Sequence, residues 1–218
     1  MPANSGALPS LFGACEPRRD PNARGFAAWP DDKWWWDSAL AERPGCLKTK
    51  LHRGKILYLD TVALGLVDGL CRVQEASAHA GEHGSEAQRL VAFLQSAGPT
   101  MLDEVKANTG LDSGELRRVR ARLEPRGAVV SRERTVDSAS GGHRHVSELC
   151  LWSQCSPQAT GHGGLGSLVH LAVRASVLAP RSEVRKWFGW DVSGSVIDEL
   201  VEEGRLSEPR AGWLTAEQ

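Results

Sequence analysis

Arg117, Arg118, Arg120 and Arg122 fall within six residues of this chain, and Arg126, Arg132, Arg134 and Arg144 follow them. A guanidinium is a planar fork that donates two parallel hydrogen bonds, which suits phosphate oxygens and guanine edges alike. Between Glu115 and Arg134 seven arginines stand against three glutamates, a local charge of +4 in a chain whose net charge is −1. Contact with a polyanion must therefore come from charge sorted onto one segment, not from bulk attraction. Lys48, Lys50, His52, Arg53 and Lys55 form a second basic cluster. It is expected at a helix end that turns at Gly54 into a strand starting at Ile56. Two readings of it stay open: a phosphate contact through Lys50, Arg53 and Lys55, or cations favoured by the dipole at a helix C-terminus.

Other chemistry finds little support. His143, His145, Cys150 and Cys155 lie close in sequence, with four residues between the two cysteines. But His143 and His145 are not a His-x3–5-His pair, and Cys150 inside a strand reads more simply as a small buried side chain than as a zinc ligand. The chain has no Gly-x-Ser-x-Gly, phosphate loop or His-Glu-x-x-His. No catalytic residue, metal or cofactor is expected. Five scattered cysteines, Cys15, Cys46, Cys71, Cys150 and Cys155, fit reduced thiols better than a disulfide framework. No basic-then-apolar leader pattern and no membrane-length apolar run are seen, so the expected location is cytoplasmic, associated with the nucleoid.

The arginines need a scaffold, and the segment from Glu86 to Trp152 supplies one. The spacing predicts a helix at 87–94 stopped by Gly98-Pro99, a second at 101–108 ended by Gly110, and a third at 113–125. Leu116, Val119 and Leu123 recur at i, i+3 and i+7 and must face the core. That leaves Arg117, Arg118 and Arg122 on the solvent face and Arg120 at its edge. After Gly127 a β-ribbon is predicted at 128–135 and 144–152, around the loop Asp137-Ser-Ala-Ser-Gly-Gly142. Arg132 and Arg134 share one strand face. This order of elements predicts a winged helix-turn-helix, whose later helix enters the major groove of DNA. A solvated helix face with arginines paired to nearby glutamates is the plainer alternative.

The pattern returns after a Gly-rich linker at 153–166. Helices are expected at 168–178, 181–187 and 192–203, then two short strands at 205–207 and 212–215, as a second winged helix spanning 167–218. Its third helix carries Asp191, Asp198, Glu199, Glu202 and Glu203 and no Lys or Arg. Phosphate would repel it, so this unit is expected to pack on the first or hold a protein partner, with Leu200, Val201 and Glu203 as candidate contacts. Residues 1–28 read as an irregular arm with an anchor-like Leu8-Pro-Ser-Leu-Phe12 patch. Residues 29–85 read as a Trp-rich block and linker. In it Trp29 and Trp34 to Trp36 serve mainly as apolar ballast, with a base-stacking platform as the other reading and one of Trp34 to Trp36 left partly exposed. Asp60 caps a helix at 62–70, and Glu75 to Ser85 is a polar linker. The fold class is mainly α with small β-wings, α+β, as tandem winged helices. With 41% apolar and 24% charged residues the composition is that of an ordinary globular chain.

Trp34-x-Trp36, Leu40, the run Lys50-Leu-x-Arg-Gly-Lys55 before a strand, the winged helix with its basic wing, and the Leu8-Pro-Ser-Leu patch together resemble the AlkZ-related winged-helix proteins. These are bacterial relatives of the AlkZ (YcaQ) DNA glycosylases, which carry tandem winged helices and excise alkylated or crosslinked bases. The resemblance covers roughly residues 8 to 152. It implies a protein that binds double-stranded DNA, in repair or transcription control. The chain departs from the family twice. Asp37 stands where lysine usually follows Trp-x-Trp, and no two glutamines are separated by a single residue, so the Gln-x-Gln type motif is absent. The expectation is a DNA-binding protein without catalysis; a glycosylase and a protein-interaction module are the alternatives.

Overall fold

Leu90, Val91 and Leu94 fall on one stripe of a helix that no side chain caps at its N-terminus. Burying each of these side chains contributes roughly 1.5–3 kcal/mol, more than the ~1 kcal/mol of a missing cap, so packing decides that the helix forms. The computed structural model describes residue 22 and residues 32–137, 143–156 and 163–216. The N-terminal arm with its Leu8–Phe12 patch, Trp29, and the loop residues 138–142 lie outside the described residues. So do the side chains of Trp34, His143, Arg144 and His145.

The chain is a mixed α+β protein whose described strands form small antiparallel sheets. In order come α1 (Asp32–Glu42), β1 (Leu47–His52), β2 (Lys55–Leu59), α2 (Thr61–His79), α3 (Ser85–Ala97), β3 (Thr100–Met101), α4 (Leu102–Thr109) and α5 (Ser113–Leu123). A 3-10 turn (Glu124–Arg126) leads to β4 (Val129–Asp137), β5 (His143–Leu151) and the short α6 (Trp152–Cys155). The last third holds α7 (Leu165–Ser176), β6 (Ala179–Pro180), α8 (Arg181–Val184), α9 (Gly194–Glu202), β7 (Leu206–Arg210) and β8 (Trp213–Ala216).

Residues 85–151 and 165–216 run through the same sequence of elements: helix, short strand, helix, helix, two-stranded ribbon. Their sheets have the same order, β3-β5-β4 and β6-β8-β7, with the middle strand last in sequence. The ribbon β4–β5 is in register from Val129↔Leu151 to Asp137↔His143 without a bulge. One apolar cluster fills the first of these segments around Leu90, Leu94, Leu116, Leu123 and Leu149. A second cluster joins Leu47, Leu51, Leu59 and Val67 to Trp187, Ile197 and Leu214. The N-terminal block and the C-terminal segment thus share one core.

Three expectations need correction. Residues 48–55 are not a helix end but a β-hairpin, in which Lys48 pairs with Tyr58 and His52 with Lys55. Alternation decides this: Leu47, Thr49 and Leu51 are buried while Lys48, Lys50 and His52 are only partly covered. The first half of the expected polar linker from Glu75 is helix, because α2 runs on to His79. Ala78 is fully buried on it, and the Glu75 carboxylate accepts from the backbone N–H (2.9 Å) and hydroxyl (2.7 Å) of Ser153. Asp60 does cap this helix, its Oδ1 accepting from the Ala63 N–H at 2.9 Å.

The third correction concerns the tryptophans. Trp35 and Trp36 are 64% and 44% exposed and lie edge to face, 4.6 Å between ring centres. Successive helical residues point about 100° apart, and α1 is anchored through the next residue. Lys48 Nζ lies 2.8 Å from the Asp37 carboxylate, and the Tyr58 hydroxyl donates to the same group. The buried indoles among the described residues are instead Trp152, at the start of α6, and Trp187 and Trp190.

Candidate nucleic-acid interface

α5 begins with a reciprocal cap. Asp112 Oδ1 accepts from the N–H groups of Gly114 (2.7 Å) and Glu115 (2.8 Å), and Glu115 Oε2 accepts from the Asp112 N–H (2.8 Å). These hydrogen bonds to the charged form hold the Asp112 carboxyl below its ordinary pKa. As the apolar spacing requires, Leu116, Val119 and Leu123 are buried, at 2%, 3% and 0% exposure. Arg117, Arg118 and Arg122 are exposed. Arg117 and Arg118 make no hydrogen bond or ion pair with a described residue. Arg122 donates to the carbonyl of His83, and Arg126 donates to that of Arg122 at 3.1 Å.

Arg120, at the edge of the apolar stripe, is partly covered. Its side chain is 20% exposed; Nε donates to Glu124 Oε1 at 2.8 Å and Nη2 to the Ser131 hydroxyl at 3.0 Å. Lys50 reaches the other oxygen of the same carboxylate at 2.5 Å, and the Ser131 hydroxyl donates to Oε1. Glu124 is 5% exposed. Burial pushes its pKa up, but Arg120, Lys50 and Ser131 outweigh burial and hold it below the ordinary carboxylate value. The buried carboxylate binds the end of α5 to β1 and β4. It lines a cavity of about 200 Å³ together with Lys48, Arg132, Ile56 and Trp152.

Arg53 is also committed elsewhere. It sits with Gly54 in a turn where both have positive φ, 54° and 73°, the twist that suits a two-residue hairpin. From there Nε donates to the Lys186 carbonyl (2.8 Å) and Nη2 to Glu183 Oε2 (2.6 Å). His52 Nδ1 lies 2.9 Å from the Trp187 carbonyl, and its pKa is lowered chiefly by burial. The segment after α8 therefore docks on the hairpin turn. It comes equally close to the end of α5: a Cβ on Gly189 would lie 2.2 Å from the Pro125 carbonyl oxygen. Between the turn and α5 runs a groove of about 420 Å³, lined by Lys50, Arg53, Gly54, Arg117, Arg120 and Ala121. Lys55, at the start of β2, is exposed.

On the ribbon, Arg134 is paired with Glu148 of β5 (Nη2–Oε2, 3.0 Å) and keeps half of its side chain exposed. Arg132 is half-buried and donates to the Cys155 carbonyl at 3.3 Å; burial, above all, lowers its pKa. Arg144 stands opposite Val136 in β5, its side chain outside the described residues. The structure thus brings Lys50, Arg53, Arg117 and Arg120 around one groove, turns Arg122 to the His83 carbonyl, and ties Lys50, Arg53, Arg120 and Arg134 to carboxylates.

The acidic counterpart behaves as its spacing implies. On α9, Asp198, Glu199 and Glu202 are exposed, and Glu203 follows them. Arg181 pairs with Asp198 and, at 3.6 Å, with Glu208. Leu200, however, is 2% exposed and belongs to the core, so it is no contact for a partner.

Sequence reading missed two features. Buried Glu124 is read as a helix-surface glutamate until its distant partner Lys50 is known. Cys150 and Cys155, expected as reduced thiols, form a disulfide. The one-turn helix α6 folds back and brings their Cα atoms to 6.5 Å, inside the bridging range. Among the described residues no group of three or more His, Cys, Asp or Glu could hold a metal. No helix among them is long and apolar enough to cross a membrane. No family model matches the chain, and no curated protein matches it in sequence.

Proposed function

We propose that this chain binds double-stranded DNA through the N-terminal half of α5 and the β4–β5 ribbon, on a tandem pair of winged helix-turn-helix units, without catalysis of its own. The observation that carries this reading is the pair Arg117 and Arg118. They are exposed on the third helix of its unit and make no hydrogen bond or ion pair with a described residue, whereas Arg120 is tied to Glu124 and Arg122 to the His83 carbonyl. A third helix that leads with free guanidinium groups suits a major groove. The shared element order and sheet order of residues 85–151 and 165–216 support the tandem winged-helix reading. The resemblance to AlkZ-related proteins points the same way, toward DNA repair or transcription control. With α9 acidic, only the first unit faces DNA, and the second holds the hairpin turn through Glu183.

A gel-shift series over salt concentration tests this. Each phosphate contact contributes about 0.9 to the slope of log K against log salt. R117A/R118A is expected to flatten the slope by about 1.8 if both arginines reach phosphates, with the fold unchanged. An unchanged affinity and slope would refute the assignment.

One observation favours a second reading, base excision: Glu124 is a buried carboxylate in a cleft bordered by cations. Against it, three donors hold this carboxylate below its ordinary pKa, which makes it a weak base. Abasic product from alkylated DNA, lost in E124Q, would favour excision over binding alone.

A further inference from the structure

Arg43 and Asp60 carry opposite charges at the mouth of one cavity, and neither is ion-paired with a described residue. Both are exposed. Asp60 uses only Oδ1, for its cap on Ala63, and leaves Oδ2 open. The Cys46 thiol lines the same cavity. Burial raises its pKa most; Arg43 lowers it and Asp60 raises it, so both charges act on this one spot. Below the mouth is a cavity of about 500 Å³, within the usual 300–1,000 Å³ of small-molecule sites. Its walls come from β2 and α2 (Leu59, Ala63), from α7 (Leu168, Leu171, Ala172) and from Phe188, and they are apolar.

An apolar chamber with one cation and one anion at its rim selects for shape and charge together. A purely apolar guest would leave both charges unused; a simple anion would be repelled by Asp60, and a simple cation by Arg43. We infer that this cavity binds a free α-amino acid with an apolar side chain. Its carboxylate lies on Arg43, its ammonium group on Asp60, and its side chain against α7 and Phe188. The site lies at the seam where the hairpin and α2 meet the C-terminal segment, away from α5, and its occupancy is independent of the DNA reading.

Calorimetric titration of the full chain with leucine, phenylalanine and tryptophan, beside glycine, N-acetyl-leucine and leucinamide, tests the inference. The three apolar amino acids bind saturably and glycine does not. Each blocked leucine binds at least about tenfold more weakly, the loss expected when one charge-assisted hydrogen bond is removed. R43Q abolishes the preference for leucine over leucinamide. D60N abolishes the preference for leucine over N-acetyl-leucine, and asparagine keeps the helix cap, so the fold is retained. A172W fills the chamber and removes binding. No binding of any of the three at millimolar concentration would overturn the inference. So would blocked leucines that bind as well as leucine, or R43Q and D60N proteins with unaltered preferences.

Discussion

The indole N–H of Trp152 donates to Asp68 Oδ1 at 2.8 Å, across 84 residues of sequence and inside the protein. Trp152 is fully buried and Asp68 is 5% exposed. The other carboxylate oxygen of Asp68 accepts from Arg72 at 2.8 Å, and Arg72 in turn donates to the Ser156 carbonyl at 3.1 Å. The far end of the ribbon is thereby fixed to the middle of α2, and through α2 to the shared core of the N-terminal block and the C-terminal segment.

W152F keeps most of the ring but removes the donor, leaving one buried carboxylate oxygen unmatched. Such a loss costs about 1–3 kcal/mol, whereas W152A adds a cavity and costs about 3–5 kcal/mol. Urea denaturation followed by circular dichroism should place W152F between wild type and W152A. Equal midpoints for wild type and W152F would show that the Asp68 contact contributes nothing.

E124Q leaves Lys50 and Arg120 without their shared counter-charge in a site that is 5% exposed at the carboxylate. Removing one partner of a buried ionic group costs about 3–5 kcal/mol. The Glu124 pKa in the folded protein is below the ordinary 4.5, so its contribution is complete above that value. It is lost as pH falls from there through the depressed folded pKa. Wild type should therefore lose stability on acidification over that window more steeply than E124Q. Denaturant midpoints at neutral pH and at about pH 4 and below, spanning this window, check both the offset and its convergence.

G189A places a methyl group 2.2 Å from the Pro125 carbonyl oxygen, and the neighbour is backbone that cannot swing aside. Overpacking of this kind costs typically 1–3 kcal/mol. Thermal melts should show a lower Tm for G189A, while an alanine at Gly194, where the nearest atom is a side-chain oxygen 3.9 Å away, leaves it near wild type. A wild-type Tm for G189A would contradict the tight docking of the C-terminal segment on the end of α5.

R53A breaks the ion pair with Glu183, in which both side chains are about one-third exposed, at 34% and 35%. Ion pairs this exposed contribute little, so stability should change only slightly. Because its guanidinium is already committed to Glu183 and to the Lys186 carbonyl, R53A should also leave the salt slope of DNA binding unaltered. R117A/R118A is the contrast. A salt slope flattened by R53A alone would move the interface toward the hairpin turn.

Sequence by itself determined what is local. The spacing of Leu116, Val119 and Leu123 identified the buried stripe of α5, and by exclusion the open side that Arg117 and Arg118 occupy. Asp60 announced the start of α2, and Gly110 and Gly127, both with positive φ, marked chain breaks where they occur. The element order of residues 85–151 was legible for the same reason: helix and strand periodicities are written over a few neighbouring residues.

The tertiary structure alone decided which cations stay free. Periodicity says that Arg120 and Lys50 are polar positions, but not that Glu124 waits between them, 74 residues from Lys50. Nor could it say that Glu183 holds Arg53 across 130 residues, or that Asp68 meets Trp152. An ion pair depends on distance in space, which falls off over a few ångströms, whereas sequence spacing reports only the face a residue presents. The sequence counted the charges of this protein; folding chose the ones left over.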